Sequence, residues 1–248
     1  MQHYCEIPTP KGVMRGFFHQ PDLKEFPVCI MFHGFTGVKS GPKFSFVQLA
    51  RMLEARGVAT LRMDFLGSGE SDLNFKDMTF GDELSCARVL LEEVLKMPVT
   101  TKVYILGHSM GGAIASELAK LYPNDIQKLC LWAPAFHLPQ LIQKMMDVVQ
   151  TNEDGIYDYE GYELSQQFGK DIIVRDFFEG LNIYQNELFV IHGNLDELVP
   201  FEISKTYLPL MSKHTKFLEI NGGSHSFSKI TDIKLVLKKT LNFLEEKR

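Results

Sequence analysis

Three separated residues of this chain have the types and settings that nucleophilic catalysis needs: Ser109, Asp196 and His225. Ser109 lies in Gly107-His108-Ser109-Met110-Gly111, directly after the apolar run Val103-Tyr104-Ile105-Leu106 and directly before a helix-like segment. That order is the Gly-x-Ser-x-Gly nucleophile elbow, a strand-to-helix turn so tight that small residues must flank the serine. A serine hydroxyl is a weak nucleophile; it needs a base to take its proton and an acid group to orient that base. Among eight histidines, His225 is the best placed, in the polar loop Asn221-Gly222-Gly223-Ser224-His225-Ser226-Phe227. His192 belongs to an apolar strand and reads as structural, and His108 is poorly placed on the elbow to take the Oγ proton. Asp196, three residues past Gly193, is the expected orienting acid, with the adjacent Glu197 as its rival.

Acyl transfer also needs donors for a developing oxyanion. The N–H of Met110 opens the helix after Ser109, where orphan donors and the helix dipole favour negative charge. A second donor is expected from His33-Gly34-Phe35-Thr36-Gly37, the loop after the first buried strand, as the N–H of Phe35. The loop Asp64-Phe65-Leu66-Gly67-Ser68-Gly69-Glu70-Ser71 hints at a nucleotide fingerprint, but the third glycine would fall at position 72, which is Asp. It is expected to shape the sheet edge near the site instead.

These residues act together only if the elements carrying them bring them to one place. Extended segments near His3–Ile7 and Val13–His19 predict an edge hairpin, followed by a buried strand at Val28–Phe32. Helical spacing runs over Phe46–Ala55 and Phe80–Met97, with strands at Val58–Met63, at the elbow and at Lys128–Ala133. After a long insertion come a strand at Leu188–His192, a helix near Ser204–Leu210, a strand at Lys216–Ile220 and a helix over Ile230–Glu246. Such alternation predicts a mostly parallel sheet with helices on both faces and a ligand site beyond the carboxyl ends of its strands.

The 248 residues, 45% of them hydrophobic, suffice for one large core. A net charge of -5 with mixed signs and no basic stripe excludes a nucleic-acid footprint. Lys234, Lys238, Lys239, Lys247 and Arg248 read as the solvated face of a terminal helix. Cys5, Cys29, Cys86 and Cys130 lack metal or disulfide spacing, so neither a metal nor a disulfide framework is expected. The N-terminus lacks a signal-peptide pattern, and no apolar run nears the ~20 residues that cross a bilayer. The expectation is a cytoplasmic protein with no stable membrane insertion, no cofactor and a small-molecule partner; a homodimer is compatible with the sequence.

Taken together, His33–Gly37, Asp64–Ser71, Gly107–Gly112, His192–Asp196 and Gly223–Phe227, in that order, resemble the α/β-hydrolase superfamily over nearly the whole chain. Within it, the chain resembles bacterial cinnamoyl (feruloyl) esterases and small carboxylesterases; Gly107-His108-Ser109-Met110-Gly111-Gly112 is also similar to monoglyceride lipases. The resemblance implies a mostly parallel eight-stranded sheet with a cap inserted after the sixth strand. Residues 1–133 and 187–248 would form the core, and 134–186 the cap over the acyl pocket. Of the apolar and aromatic cap residues, most are expected to pack the cap on the core and some to line the pocket mouth. Candidate substrate contacts are Gly34 and His108 beside the nucleophile, and Met145, Tyr157, Tyr159 and Tyr162 in the cap. The implied activity is serine ester hydrolysis through an acyl-enzyme, on small or hydroxycinnamoyl-type esters. A lipase or thioesterase for longer acyl chains is the first alternative, and a non-catalytic ligand-binding relative the second. The rate should rise with pH as His225 loses its proton.

Overall fold

Side chains on a strand alternate between faces, and that alternation builds both halves of the core. In a computed structural model, which describes residues 1–245, β3 (Phe26–Phe32) is buried along its whole length. Its Val28, Ile30 and Phe32 pack on one face of the sheet, and its Cys29 and Met31 on the other. β5 (Thr100–His108), β6 (Ile126–Trp132) and β9 (Glu187–Gly193) divide in the same way: Ile105, Leu131 and Val190 to the first face, Leu106, Trp132 and Ile191 to the second.

The remaining strands of this sheet are β1 (Gln2–Thr9), β2 (Gly12–His19), β4 (Ala59–Met63) and β10 (Thr215–Ile220). The eight strands run in the order β1-β2-β4-β3-β5-β6-β9-β10. From β4 to β10 every pairing is parallel, while β2 pairs antiparallel with both β1 and β4. The edge hairpin and the parallel sheet are thus as expected from the pattern.

One face is covered by α1 (Ser45–Glu54) and α7 (Ile230–Leu244), whose Phe46, Leu49, Val236 and Leu237 pack with Trp132. The Trp132 Nε1–H donates to Thr240 Oγ1 at 3.0 Å, so the one polar atom of that buried indole is satisfied by α7. The other face is covered by α2 (Phe80–Lys96) and α3 (Met110–Leu121). Thr79 caps α2 by accepting the Asp82 N–H, and Pro98 follows its end. The end of the expected terminal helix at Glu246, with Lys247 and Arg248, lies outside the described residues.

Between β6 and β9 the chain leaves the sheet. This insert holds α4 (Leu138–Val148), the hairpin β7 (Ile156–Tyr159) and β8 (Tyr162–Ser165), and α5 (Gln166–Ile173). The short α6 (Glu202–Tyr207) follows β9. No helix among the described residues is long and apolar enough to cross a membrane.

Candidate active site

The elbow is strained, and its neighbours leave no room for anything larger than glycine. Ser109 holds φ 58, ψ -123, outside the regions open to most side chains. A Cβ on Gly107 would lie 2.2 Å from the Gly111 carbonyl oxygen, and one on Gly111 would lie 2.3 Å from that of Phe32. Backbone bonds over-determine the turn: Ser109 N–H donates to Trp132 O at 2.9 Å, and Ser109 O accepts from Gly112, Ala113 and Ala135.

The loops that carry Asp196 and His225 leave adjacent strands, β9 and β10, and are tied to each other. Leu195 N–H donates to Gly223 O at 2.9 Å, and Gly222 N–H to Asn194 Oδ1 at 2.7 Å. Between the two loops, His225 Nδ1–H donates to Asp196 Oδ2 at 2.8 Å. The second carboxylate oxygen accepts the N–H groups of Leu198 (2.9 Å) and Val199 (2.8 Å). Burial would raise the pKa of Asp196, but the hydrogen bonds from His192 and His225 outweigh it and hold the carboxyl well below the usual carboxylate range. Glu197, the rival, is exposed at the cavity wall. His225 is fixed through its backbone as well: its carbonyl accepts the His108 Nε2–H at 3.1 Å. Burial, with the His225 ring 4.9 Å away, pushes His108 down to about 3, so it stays neutral and serves as a brace.

The loop after β3 is aimed by His33. The Phe65 N–H donates to His33 Nε2 at 3.0 Å, which leaves the ring proton on Nδ1, and Nδ1–H donates to Gly34 O at 2.9 Å. Gly37 N–H reaches the same carbonyl at 2.9 Å. The Gly34–Phe35 peptide is planar and trans, so its N–H points opposite to this anchored carbonyl. Neither that N–H nor the N–H of Met110 has an acceptor among the described residues. Gly34 packs so close to the elbow that a Cβ there would lie 2.8 Å from Ser109 Cβ.

Ser109, His225, Gly34, Phe35 and His108 all line one cavity of about 560 Å³ at the carboxyl ends of the parallel strands. That is a size suited to a small organic ligand. Its walls are Val38, Pro42, Ala135, Leu138, Leu141, Ile142, Leu198 and Val199, with Tyr159 and Glu160 from the insert and Glu197 from the loop after β9. The Ser109 hydroxyl makes no hydrogen bond among the described residues.

Residues 25–157, more than half of the chain, match the family described as serine aminopeptidase, S33. The chain belongs to that family of α/β-hydrolases. The same hydrolase fold covers 97% of this chain and 97% of Est1E from Butyrivibrio proteoclasticus with ferulic acid bound, at TM-score 0.88 and 25% identity. Alpha/beta hydrolase domain-containing protein 10 from mouse shares the fold at TM-score 0.77 and 19% identity, with 97% of each chain covered. By sequence, Lipase 1 of Psychrobacter immobilis is 31% identical over 54% of this chain and 43% of its own length. Protein phosphatase methylesterase 1 of Candida albicans is 29% identical over 45% of this chain and 29% of its own. The matched stretches span less than half the length of these curated relatives.

Around this cavity, the expected cap contacts divide. Tyr159 lines the cavity; Met145, Tyr157 and Tyr162 do not. Tyr157 lies deeper on the hairpin, is 4% exposed and belongs to the core. Met145 packs half-buried against that core. Tyr162 pairs across the turn from Tyr159 but packs at a tilt on Phe75 at 4.9 Å and does not line the cavity. The sequence reading missed α4, which contributes Leu138, Leu141 and Ile142; their helical spacing, followed by the polar Gln143 and Lys144, was the available signal. It also missed His137, whose Nε2–H donates to Leu198 O at 3.1 Å, and the brace roles of His33 and His108. The Asp64 loop does shape the site edge: its carboxylate accepts the Lys39 N–H and Glu70 N–H and pairs with Lys39 Nζ at 2.6 Å, tying the β4 loop to the loop after β3.

Proposed function

We propose that this chain is a serine carboxylic-ester hydrolase working through an acyl-enzyme on Ser109, with small or aromatic, uncharged acyl groups as its substrates. The observation that carries this reading is the 2.8 Å bond from His225 Nδ1–H to Asp196, with His225 and Ser109 on the wall of one cavity.

As substrate fills the cavity, Ser109 Oγ attacks the ester carbonyl and His225 Nε2 takes its proton. Asp196 holds the ring with the proton on Nδ1 and stabilises the imidazolium. The unclaimed N–H groups of Phe35 and Met110 receive the oxyanion; one such donor is typically worth about 3 kcal/mol in the transition state. His225 then gives its proton to the leaving alcohol, and water releases the acid by the reverse sequence. All of this is done by side chains and backbone amides of the chain itself.

Feruloyl specificity is supported by the likeness to Est1E and by the aromatic Phe35–Tyr159 wall. Exclusion of anionic acyl groups is supported by Glu160 and Glu197 at the cavity, where no Lys or Arg among the described residues lines the wall. The same carboxylates favour one second reading, cleavage after a free α-ammonium group, which fits the family's description as an aminopeptidase.

The test compares kcat/KM for methyl ferulate, butyrate, laurate, monoacylglycerol and an amino-acid anilide, with Ser109→Ala as blank. Preferred turnover of ferulate or butyrate, lost at least about 1,000-fold in Ser109→Ala, supports the proposal. Preference for the anilide moves the enzyme to the second reading. Ester turnover undiminished in Ser109→Ala overturns both.

A further inference from the structure

Asp196 carries a second buried imidazole that the reaction as described does not use. His192 is wholly buried on β9, and its Nε2 lies 3.0 Å from Val199 O and 3.3 Å from Asp196 Oδ2, the oxygen that also accepts from His225. Both neighbours of Nε2 are oxygens without a proton to give, so Nε2 must carry one. In the neutral ring that leaves Nδ1 bare, and the Tyr207 hydroxyl lies 3.4 Å from it. Tyr207, the last residue of α6, is also wholly buried, with its ring set edge-on to Phe136 at 4.9 Å. Burial pushes its phenol up, so the hydroxyl keeps its proton and donates it to Nδ1.

We propose that Tyr207 and His192 form a buried extension of the catalytic acid, in which Tyr207 locks the His192 tautomer and the His192 Nε2–H positions the Asp196 carboxylate. The inference rests on the acyl-enzyme reading above. One N–H bridges the first and fourth residues of the acid loop, so Oδ2 and the Val199 carbonyl are fixed together. In the other tautomer a lone pair on Nε2 would face two oxygens and push the carboxylate off the line to His225. Sharing Oδ2 between two donors also spreads its charge, so the field that Asp196 exerts on the His225 imidazolium depends on His192. The other titratable groups facing Asp196 are His137 at the start of α4 and His108 on the elbow, both shifted downward by burial and therefore neutral near pH 7. Glu197, next in the chain, is solvent-exposed.

The experiment is the pH profile of kcat/KM on the best ester for the parent, Tyr207→Phe, His192→Phe and His192→Gln. Tyr207→Phe keeps the ring against Phe136 and removes only the hydroxyl. The expected result is a fall of about three- to tenfold in kcat at the optimum, with KM nearly unchanged. The acid limb should move to higher pH, because a carboxylate with fewer donors holds the imidazolium proton more tightly. His192→Phe should show the larger fall and shift. His192→Gln, which keeps an N–H near the Nε2 position, should return both toward the parent.

An acid limb that stays in place in Tyr207→Phe and in every folded His192 variant, whatever their thermal midpoints, would overturn the proposal and leave both residues as packing. Failure of the acyl-enzyme reading looks different: ester turnover would then survive in Ser109→Ala.

Discussion

The carboxyl end of the sheet that holds Ser109 and the insert that covers it are built on opposite principles. At the elbow, backbone meets backbone: Gly107 packs on Gly111, Gly111 on Phe32 and His33, and Gly193 on Gly223, each closer than a Cβ allows. Four hydrogen bonds hold the Ser109 peptide groups in a conformation with positive φ. The insert instead holds its place by rings. Phe35 stacks on Phe168 at 5.2 Å and meets Tyr159 at 5.3 Å, and Phe75 joins it to Tyr162. Backbone packing admits one geometry, whereas ring contacts tolerate exchange. In the proposed reaction, chemistry therefore falls to the first region and substrate choice to the second, and Phe35 belongs to both, with its N–H facing the elbow side and its ring packed on Phe168 and Tyr159 of the insert.

That division can be broken at its stiffest point first. Gly111→Ala places a methyl group 2.3 Å from the His33–Phe32 backbone, and a loss of about 4 kcal/mol or more is expected, read by urea denaturation. A Gly111→Ala protein with parent stability would show that the elbow is not backbone-packed. Next in size, Tyr159→Ala opens the cavity wall and should change the ratio of kcat/KM between ferulate and butyrate by about tenfold. Tyr162→Ala, which does not line the cavity, should leave that ratio within about twofold. Equal effects from the two would erase the distinction between wall and packing.

The smallest effect is one of pH. The Asp196 carboxyl is held low in the folded protein, so the stability it lends is full above the unfolded carboxylate value of about 3.9 and is lost as pH falls through the lower folded value. The stability gap between the parent and Asp196→Asn should therefore be about 1 kcal/mol near pH 7 and close below about pH 4. A gap that widens in acid would contradict the donor set seen on Asp196.

Legibility in the sequence follows the same division. Gly107, Gly111, Gly34 and Gly193 announce the loops because close backbone contact restricts each position to one residue type. Alternating apolar strands and amphipathic helices disclosed the sheet, because a strand buried on both faces has few alternatives. The insert was far less readable. Tyr157, Tyr159 and Tyr162 look alike in sequence, and only the hairpin register and the position of Phe75 decide which of them reaches the cavity. The apolar strand around His192 marks it as a core residue, which its full burial matches. Its contact with Asp196 depends on a turn that folds Val199 back over β9, and no local pattern reports that turn.

The central claim is a covalent acyl group on Ser109, and the most direct test is to trap it. The purified protein is mixed with a slowly deacylating aromatic ester, quenched in acid before the steady state, and examined by intact-protein and peptide mass spectrometry. The expected result is one added acyl mass per chain, located on the peptide containing Ser109 and absent from Ser109→Ala. Turnover of the ester with no adduct, or with an adduct on another residue, would contradict it.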